Sequence, residues 1–117
     1  MYTFICYEKC STCKKAEKWL NDNGIACQKR LINEDRPTKE ELKKWVPLSG
    51  RELKKFFNTS GKLYRELDVK NRLKSMSDEE IYDLLASDGM LVKRPILVGK
   101  KTVLSGFKEE EWQKALL

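Results

Sequence analysis

Histidine is absent from all 117 residues. That absence removes Ser–His, Cys–His and His–metal chemistry together. Long apolar runs are absent too. No stretch approaches the ~20 apolar residues that a spanning helix requires, so no membrane role is expected. Six glycines and three prolines are too few for a fibrous or collagen-like chain. Met1–Tyr7 lacks a basic segment leading into a long apolar run. A signal peptide is therefore not expected, and the cytoplasm is the expected compartment. Repeats, linkers and low-complexity tracts are missing, which predicts one domain over residues 1–117. A chain of this size needs no disulfide or metal to fold.

Dense blocks of one charge are also missing. Lysine and arginine number 24 against 18 acidic residues, a net charge of +6. The excess is spread along the chain, and most basic residues have an acidic neighbour, as in Lys39-Glu40-Glu41 and Arg51-Glu52. This predicts a solvated, salt-bridged surface rather than the dense basic face of a nucleic-acid binder, so no direct nucleic-acid contact is expected. A charge of +6 still favours anionic substrates or acidic partners. The lack of an obvious apolar surface stripe favours a monomer.

With histidine gone, the four cysteines are the most reactive groups present. In a cytoplasmic protein they point to catalysis, redox chemistry or metal binding before structural disulfides. Their placement follows from the secondary-structure pattern. Residues 3–7 are apolar on both alternating faces, which predicts a strand covered on both sides. Residues 11–23 place Ala16, Trp19 and Leu20 on one side of a helix that Asn23-Gly24 ends. Residues 25–31 alternate, with Ile25, Cys27 and Leu31 on one face. The run is β-α-β, hence two parallel strands and a crossover helix.

The middle reads as helical. Thr38…Glu41, Ser49…Glu52 and Ser77…Glu80 are capping-box signatures. They predict helices at about 39–46, 50–57 and 78–87, with Pro47 separating the first two. Gly61 precedes a short helical piece over Lys62–Leu67. Then Arg94–Val98 reads as a proline-led strand, Gly99-Lys100 as a tight turn, and Thr102–Leu104 as the returning strand. A last amphipathic helix covers about Lys108–Leu116. The order β-α-β, helical insert (about 38–90), β-β-α predicts an α/β fold. It is a mixed four-stranded sheet in the thioredoxin arrangement. Trp19, Trp45 and Trp112 fall at core positions.

Cys10-Ser11-Thr12-Cys13 lies where the first strand meets the first helix. Unpaired N–H groups and the helix dipole stabilise a thiolate there. Lys9, Lys14 and Lys15 add positive charge to the neighbourhood. Cys10, at the exposed mouth, is the expected nucleophile, and Cys13, one turn on, the expected resolving thiol. Ser11, Thr12 and Lys14 are expected substrate contacts. Lys93-Arg94-Pro95 leads into the third strand, beside the nucleophile in such a fold. A cis Pro95 would turn the preceding backbone toward a substrate, and Arg94 would steady a thiolate or an oxyanion. Arg94 also has a plainer reading as a surface ion-pair partner. Cys6 and Cys27 lie on apolar strand faces and read as small buried hydrophobes. Cys6, Cys10 and Cys13 share the CxxxCxxC spacing of radical S-adenosylmethionine enzymes, but those need a far larger barrel. A four-cysteine zinc site would need a second knuckle pair. No metal and no bound cofactor are expected.

Cys10–Ala16, Asn58–Gly61, Lys93–Val98 and Leu104–Phe107 together resemble the arsenate reductase (ArsC)-like family, which also holds Spx regulators and YffB-type thiol reductases. The resemblance spans essentially the whole chain. It implies a thioredoxin-like fold with a helical insert, a catalytic cysteine matched by Cys10, and an anion-facing arginine matched by Arg94. Glutaredoxin-coupled arsenate reductases carry two further arginines, where this chain has Ser60 and Gly106. They also carry a histidine where it has Cys6. Losing two cations removes charge-assisted bonds to an oxyanion. Cys13 matches Spx, while the segment around Asn58–Leu67 and the Leu-Ser-Gly-Phe stretch are closer to YffB-type members. The resemblance therefore implies a thiol–disulfide oxidoreductase acting on a small-molecule or protein disulfide. Glutathione or a thioredoxin/glutaredoxin system would be its reductant. The alternatives are a redox-sensing regulator docking on the RNA polymerase α subunit, and arsenate reduction itself.

Overall fold

The computed structural model describes residues 1–117. Four strands form one sheet in the order β2-β1-β3-β4. β1 (Tyr2–Cys6) pairs in parallel with β2 (Cys27–Leu31). β3 (Ile96–Val98) pairs antiparallel with both β1 and β4 (Val103–Ser105). The crossover between β1 and β2 is α1 (Ser11–Asp22), which ends at Asn23 before the left-handed Gly24. Between β2 and β3 lie α2 (Lys39–Ser49), α3 (Lys62–Glu66), α4 (Val69–Arg72) and α5 (Asp78–Ala86). The chain closes with α6 (Glu109–Leu116). The mixed thioredoxin-like sheet with a helical insert is as expected. No helix is long and apolar enough to cross a membrane.

Strand alternation divides the interior into two cores. Phe4, Cys6 and Leu97 point to one face of the sheet, where they meet Cys13, Ala16, Trp19 and Leu20 of α1 and Trp112 of α6. Ile5, Ile96 and Val103 point to the other, where the insert packs through Leu42, Trp45, Phe56, Ile81 and Leu85. β1 is thus covered on both sides, and all three tryptophans are buried. Cys6 is buried as expected. Cys27 is only half-buried, because β2 is an edge strand and its outer flank has no neighbour.

The capping boxes at Thr38…Glu41 and Ser77…Glu80 both form, each with reciprocal side-chain and backbone bonds. The one expected at Ser49…Glu52 does not. α2 runs through Pro47 to Ser49 and stops at left-handed Gly50. Pro47 has no N–H to offer the Lys43 carbonyl, so it costs the helix one backbone bond, yet the helix continues through it. The Ser49 hydroxyl turns back to donate to the Val46 carbonyl, so no helix starts there. Only a 3₁₀ turn follows, Leu53–Phe56. The hairpin also departs from expectation. β4 begins one residue later, and the connection covers residues 99–102, closed by Gly99 N–H donating to the Thr102 carbonyl at 2.7 Å.

Two ion pairs are local, Lys18–Asp22 and Lys62–Glu66, and others tie distant elements together. Lys39 pairs with Glu79 and Asp83 of α5, and Arg51 with Glu111 of α6. Arg30 donates to both oxygens of Glu41 at 2.8 Å and lies over Trp45, tying β2 to the insert.

Candidate active site

The helix start that carries the cysteines is set by Cys10 itself. It is the N-cap of α1, with extended backbone, and its sulfur accepts from the Cys13 backbone N–H at 3.4 Å. Cys10 is half-buried. Cys13, one turn on, is 3% exposed, and its sulfur accepts from Tyr7 N–H at 3.5 Å. The two thiols therefore share a helix start but not an environment. Burial pushes the Cys10 thiol up. The Cys13 backbone N–H, the Cys13 thiol, the Arg94 charge and the Thr12 N–H outweigh it and hold the group below the usual thiol range. Cys13 moves the other way, up to about 12. Burial is the main cause, partly offset by the Tyr7 N–H and reinforced by Cys10 beside it. The leading cation acting on the Cys10 thiol is Arg94, ahead of Lys9, Lys14 and Lys15.

Arg94 precedes a cis peptide to Pro95. Its guanidinium lies over the Tyr7 ring, 5.1 Å from the centroid, and reaches the Met90 carbonyl at 3.4 Å. It has no carboxylate partner, so the surface ion-pair reading does not hold. Since its charge lowers the Cys10 thiol, Arg94→Gln should move the pH midpoint of Cys10 alkylation upward and slow alkylation at pH 7. An unchanged profile with iodoacetamide would show that the helix start alone sets this thiol.

Cys10, Thr12 and Arg94 open onto one cavity of about 390 Å³. Its other walls come from distant parts of the chain: Arg51, Asn58 and Ser60 in the insert, and Lys93, Ser105, Gly106, Phe107 and Lys108 around the hairpin. Backbone pairing brings these parts together. Phe57 bridges Val92, Asn58 N–H donates to Leu91 O, and Lys93 N–H to Phe56 O. Gly106, at φ 74°, donates to the Pro95 carbonyl and accepts from the Trp112 indole at 3.0 Å.

Of the expected substrate contacts, only Thr12 lines the cavity. Ser11 and Lys14 face solvent on α1, and Pro95 is buried behind the wall. Ser60 and Gly106 do line it, and neither brings a charge. Arg51, Lys93, Ser105 and Lys108 join the wall as well. Lys93 stands beside the Arg94-Pro95 pair, which is a usable signal. Arg51 and Lys108 carry none, because only the tertiary fold brings them near Cys10.

The sequence profile of the ArsC family matches residues 6–115. The uncharacterized protein YusI of Bacillus subtilis is 51% identical over 112 residues, 96% of this chain and 95% of its own. Global transcriptional regulator Spx 1 of Bacillus cereus is 28% identical, over 99% of this chain and 87% of its own. The crystal structure of a putative ArsC family related protein from Bacteroides fragilis is 55% identical. It superposes with a TM-score of 0.94 over 97% of this chain and 95% of its own. A profile match over nearly the whole chain, the same fold at high identity, and a cysteine-capped first helix facing an arginine agree: the chain belongs to the ArsC family.

Proposed function

We propose that the protein is a thiol–disulfide oxidoreductase in which Cys10 is the nucleophile and Cys13 resolves. The observation that carries this reading is the opposed state of the two thiols. Cys10 sits at the cavity with a lowered pKa, while Cys13 is buried with its pKa raised to about 12. A thiolate is the attacking species in exchange, so only Cys10 is poised at neutral pH. Its attack on a disulfide forms a Cys10–substrate bond and releases the other sulfur as a thiolate. That step also removes the Cys10 charge, which adds to burial in keeping the proton on Cys13. Cys13 then loses its proton to solvent as it attacks the Cys10 sulfur. The substrate leaves as a thiolate, and a Cys10–Cys13 disulfide remains. The substrate gains two electrons and the dithiol loses two. A cellular thiol, glutathione or a thioredoxin/glutaredoxin system, returns them.

Differential alkylation with peptide mapping across a dithiothreitol redox series tests this. A reversible Cys10–Cys13 bond at roughly −200 to −270 mV is expected. Rapid labelling of Cys10 with no such bond at any potential would leave a one-thiol enzyme and reduce Cys13 to packing.

A second reading is favoured by the similarity to Spx 1. On it, Cys10 and Cys13 are a sensor, and the +6 charge meets an acidic face of the RNA polymerase α subunit. Retention by the isolated α C-terminal domain, dependent on thiol state, is its expected result. No retention under either condition would exclude it.

A further inference from the structure

The wall of the Cys10 cavity is cationic. Arg51, Lys93, Arg94 and Lys108 line it, and no carboxylate does. Arg51 is partly neutralised by Glu111 at 2.7 Å. Lys93 belongs to none of the protein's nine ion pairs. It is half-buried, and its side chain lies across Gly106, where a Cβ would stand 2.8 Å from Lys93 Cε and 3.5 Å from Nζ. A side chain at 106 would displace this lysine from the wall. Burial, and then Arg51, Lys108 and Lys55, press its proton off, with Glu111 opposing them in part. An unpaired ammonium held among other cations is electrostatically unsatisfied, and an arriving anion relieves it.

A second group in the same wall is also unsatisfied. Ser105 is 3% exposed, and its Oγ has no hydrogen-bond partner. Buried hydroxyls are nearly always paired in native proteins. Ser105 ends β4 on the insert-facing side of the sheet, cross-strand from Ile96, and it lines the cavity with Lys93 and Cys10. One cavity wall thus carries an unpaired cation, an unpaired donor and the Cys10 thiol. The cavity, at about 390 Å³, lies near the small end of the ~300–1,000 Å³ range for ligand sites. That size suits a small molecule better than a folded partner's surface.

We propose that Lys93 and Ser105 form a carboxylate subsite, and that the substrates are low-molecular-weight disulfides carrying a carboxylate near the sulfur. The proposal rests on the thiol–disulfide reading and names its substrate class. The chemistry is one exchange step. The Cys10 thiolate attacks one sulfur, the S–S bond breaks, and the other half leaves as a thiolate. The half retained on Cys10 keeps its carboxylate on Lys93 and Ser105 until Cys13 displaces it.

The test is single-turnover. Reduced protein is mixed at low salt with excess dithiodipropionate or with bis(hydroxyethyl) disulfide, and Cys10 consumption is followed by acid quench and intact mass. A free thiolate reacts more slowly with the dianionic disulfide, because like charges repel. The protein should reverse that order and prefer dithiodipropionate by roughly tenfold or more. Lys93→Gln should bring the rate ratio to about one, and Ser105→Ala should lower it by several-fold. Ser105→Ala should not lower thermal stability, since it removes an unpaired hydroxyl. A wild-type ratio at or below one overturns the proposal. So does a ratio that neither substitution changes.

Binding separates this proposal from the reading beneath it. Cys10→Ser protein is titrated with dithiodipropionate and followed by NMR. Saturable binding lost in Cys10→Ser/Lys93→Gln, with no exchange in the wild type, would support the subsite and overturn the oxidoreductase reading. Ordinary exchange with no binding would overturn the subsite alone.

Discussion

Cys10→Ser protein should lose disulfide exchange by about a thousandfold or more, while folding as well as the wild type. The two halves of this expectation have separate causes. Removing a nucleophile deletes the covalent step, and such losses are measured in thousands to millions. Folding is spared because Cys10 is a helix N-cap, and serine is among the best residues there. The helix start should hold, so the loss can be assigned to chemistry. Cys13→Ser separates the steps further. Cys10 should still be consumed, but the protein should accumulate as a stable mixed disulfide, one substrate half heavier by intact mass. If Cys10→Ser stayed within tenfold of wild type, the nucleophile would have to be another thiol. A Cys13→Ser protein that carried no adduct would remove Cys13 from the resolving role.

Trp112→Ala should give the largest loss of stability, about 3–5 kcal/mol. For a domain of this size that is a fall of roughly 12–20 °C in Tm. Trp112 is fully buried, edge-on to Phe107 at 4.9 Å and to Trp19 at 6.1 Å. Its indole N–H donates to the Gly106 carbonyl at 3.0 Å. Truncation therefore opens a cavity in the smaller core and leaves a backbone acceptor at the cavity wall without its partner. Trp112→Phe keeps most of the packing and loses only the donor, for which about 1–2 kcal/mol is expected. Urea unfolding of the three proteins compares them directly. Equal losses for the two variants would mean that the bond to Gly106, and not the ring, carries the effect.

What could be read in advance was whatever is encoded locally. The β-α-β start shows in the switch from two-residue to helical periodicity and in Gly24. The position of Cys10 and Cys13 follows from that switch. Two of the three capping boxes form where their residues predict them. The errors lie where a local rule meets a longer-range alternative. Pro47 looks like a stop, yet the helix runs on through it for two more residues and ends at Gly50. Ser49 looks like a cap, yet its hydroxyl finds the Val46 carbonyl first. Lys39 and Arg51 have acids beside them in the chain, but their pairs are with Glu79, Asp83 and Glu111. The cavity shows the same limit more sharply. Cys10 and Arg94 are foreseeable from their junctions. Arg51, Ser105 and Lys108 reach the site only through the pairing of Phe57 with Val92 and the packing of the hairpin, which no local spacing reports.

The division of the interior by the sheet has a further consequence for how such a protein can diverge. Cys10 and Cys13 are seated in the core beneath α1 and α6, whereas Arg51, Asn58 and Ser60 are positioned by the core of the insert. Substitutions in the two compartments share few neighbours and should combine nearly additively. A lineage can therefore remodel the far wall of the cavity by drifting in the insert while the cysteine-capped helix start stays fixed. It can equally retire the chemistry and retain the frame. One scaffold can in this way give rise to both catalysts and sensors.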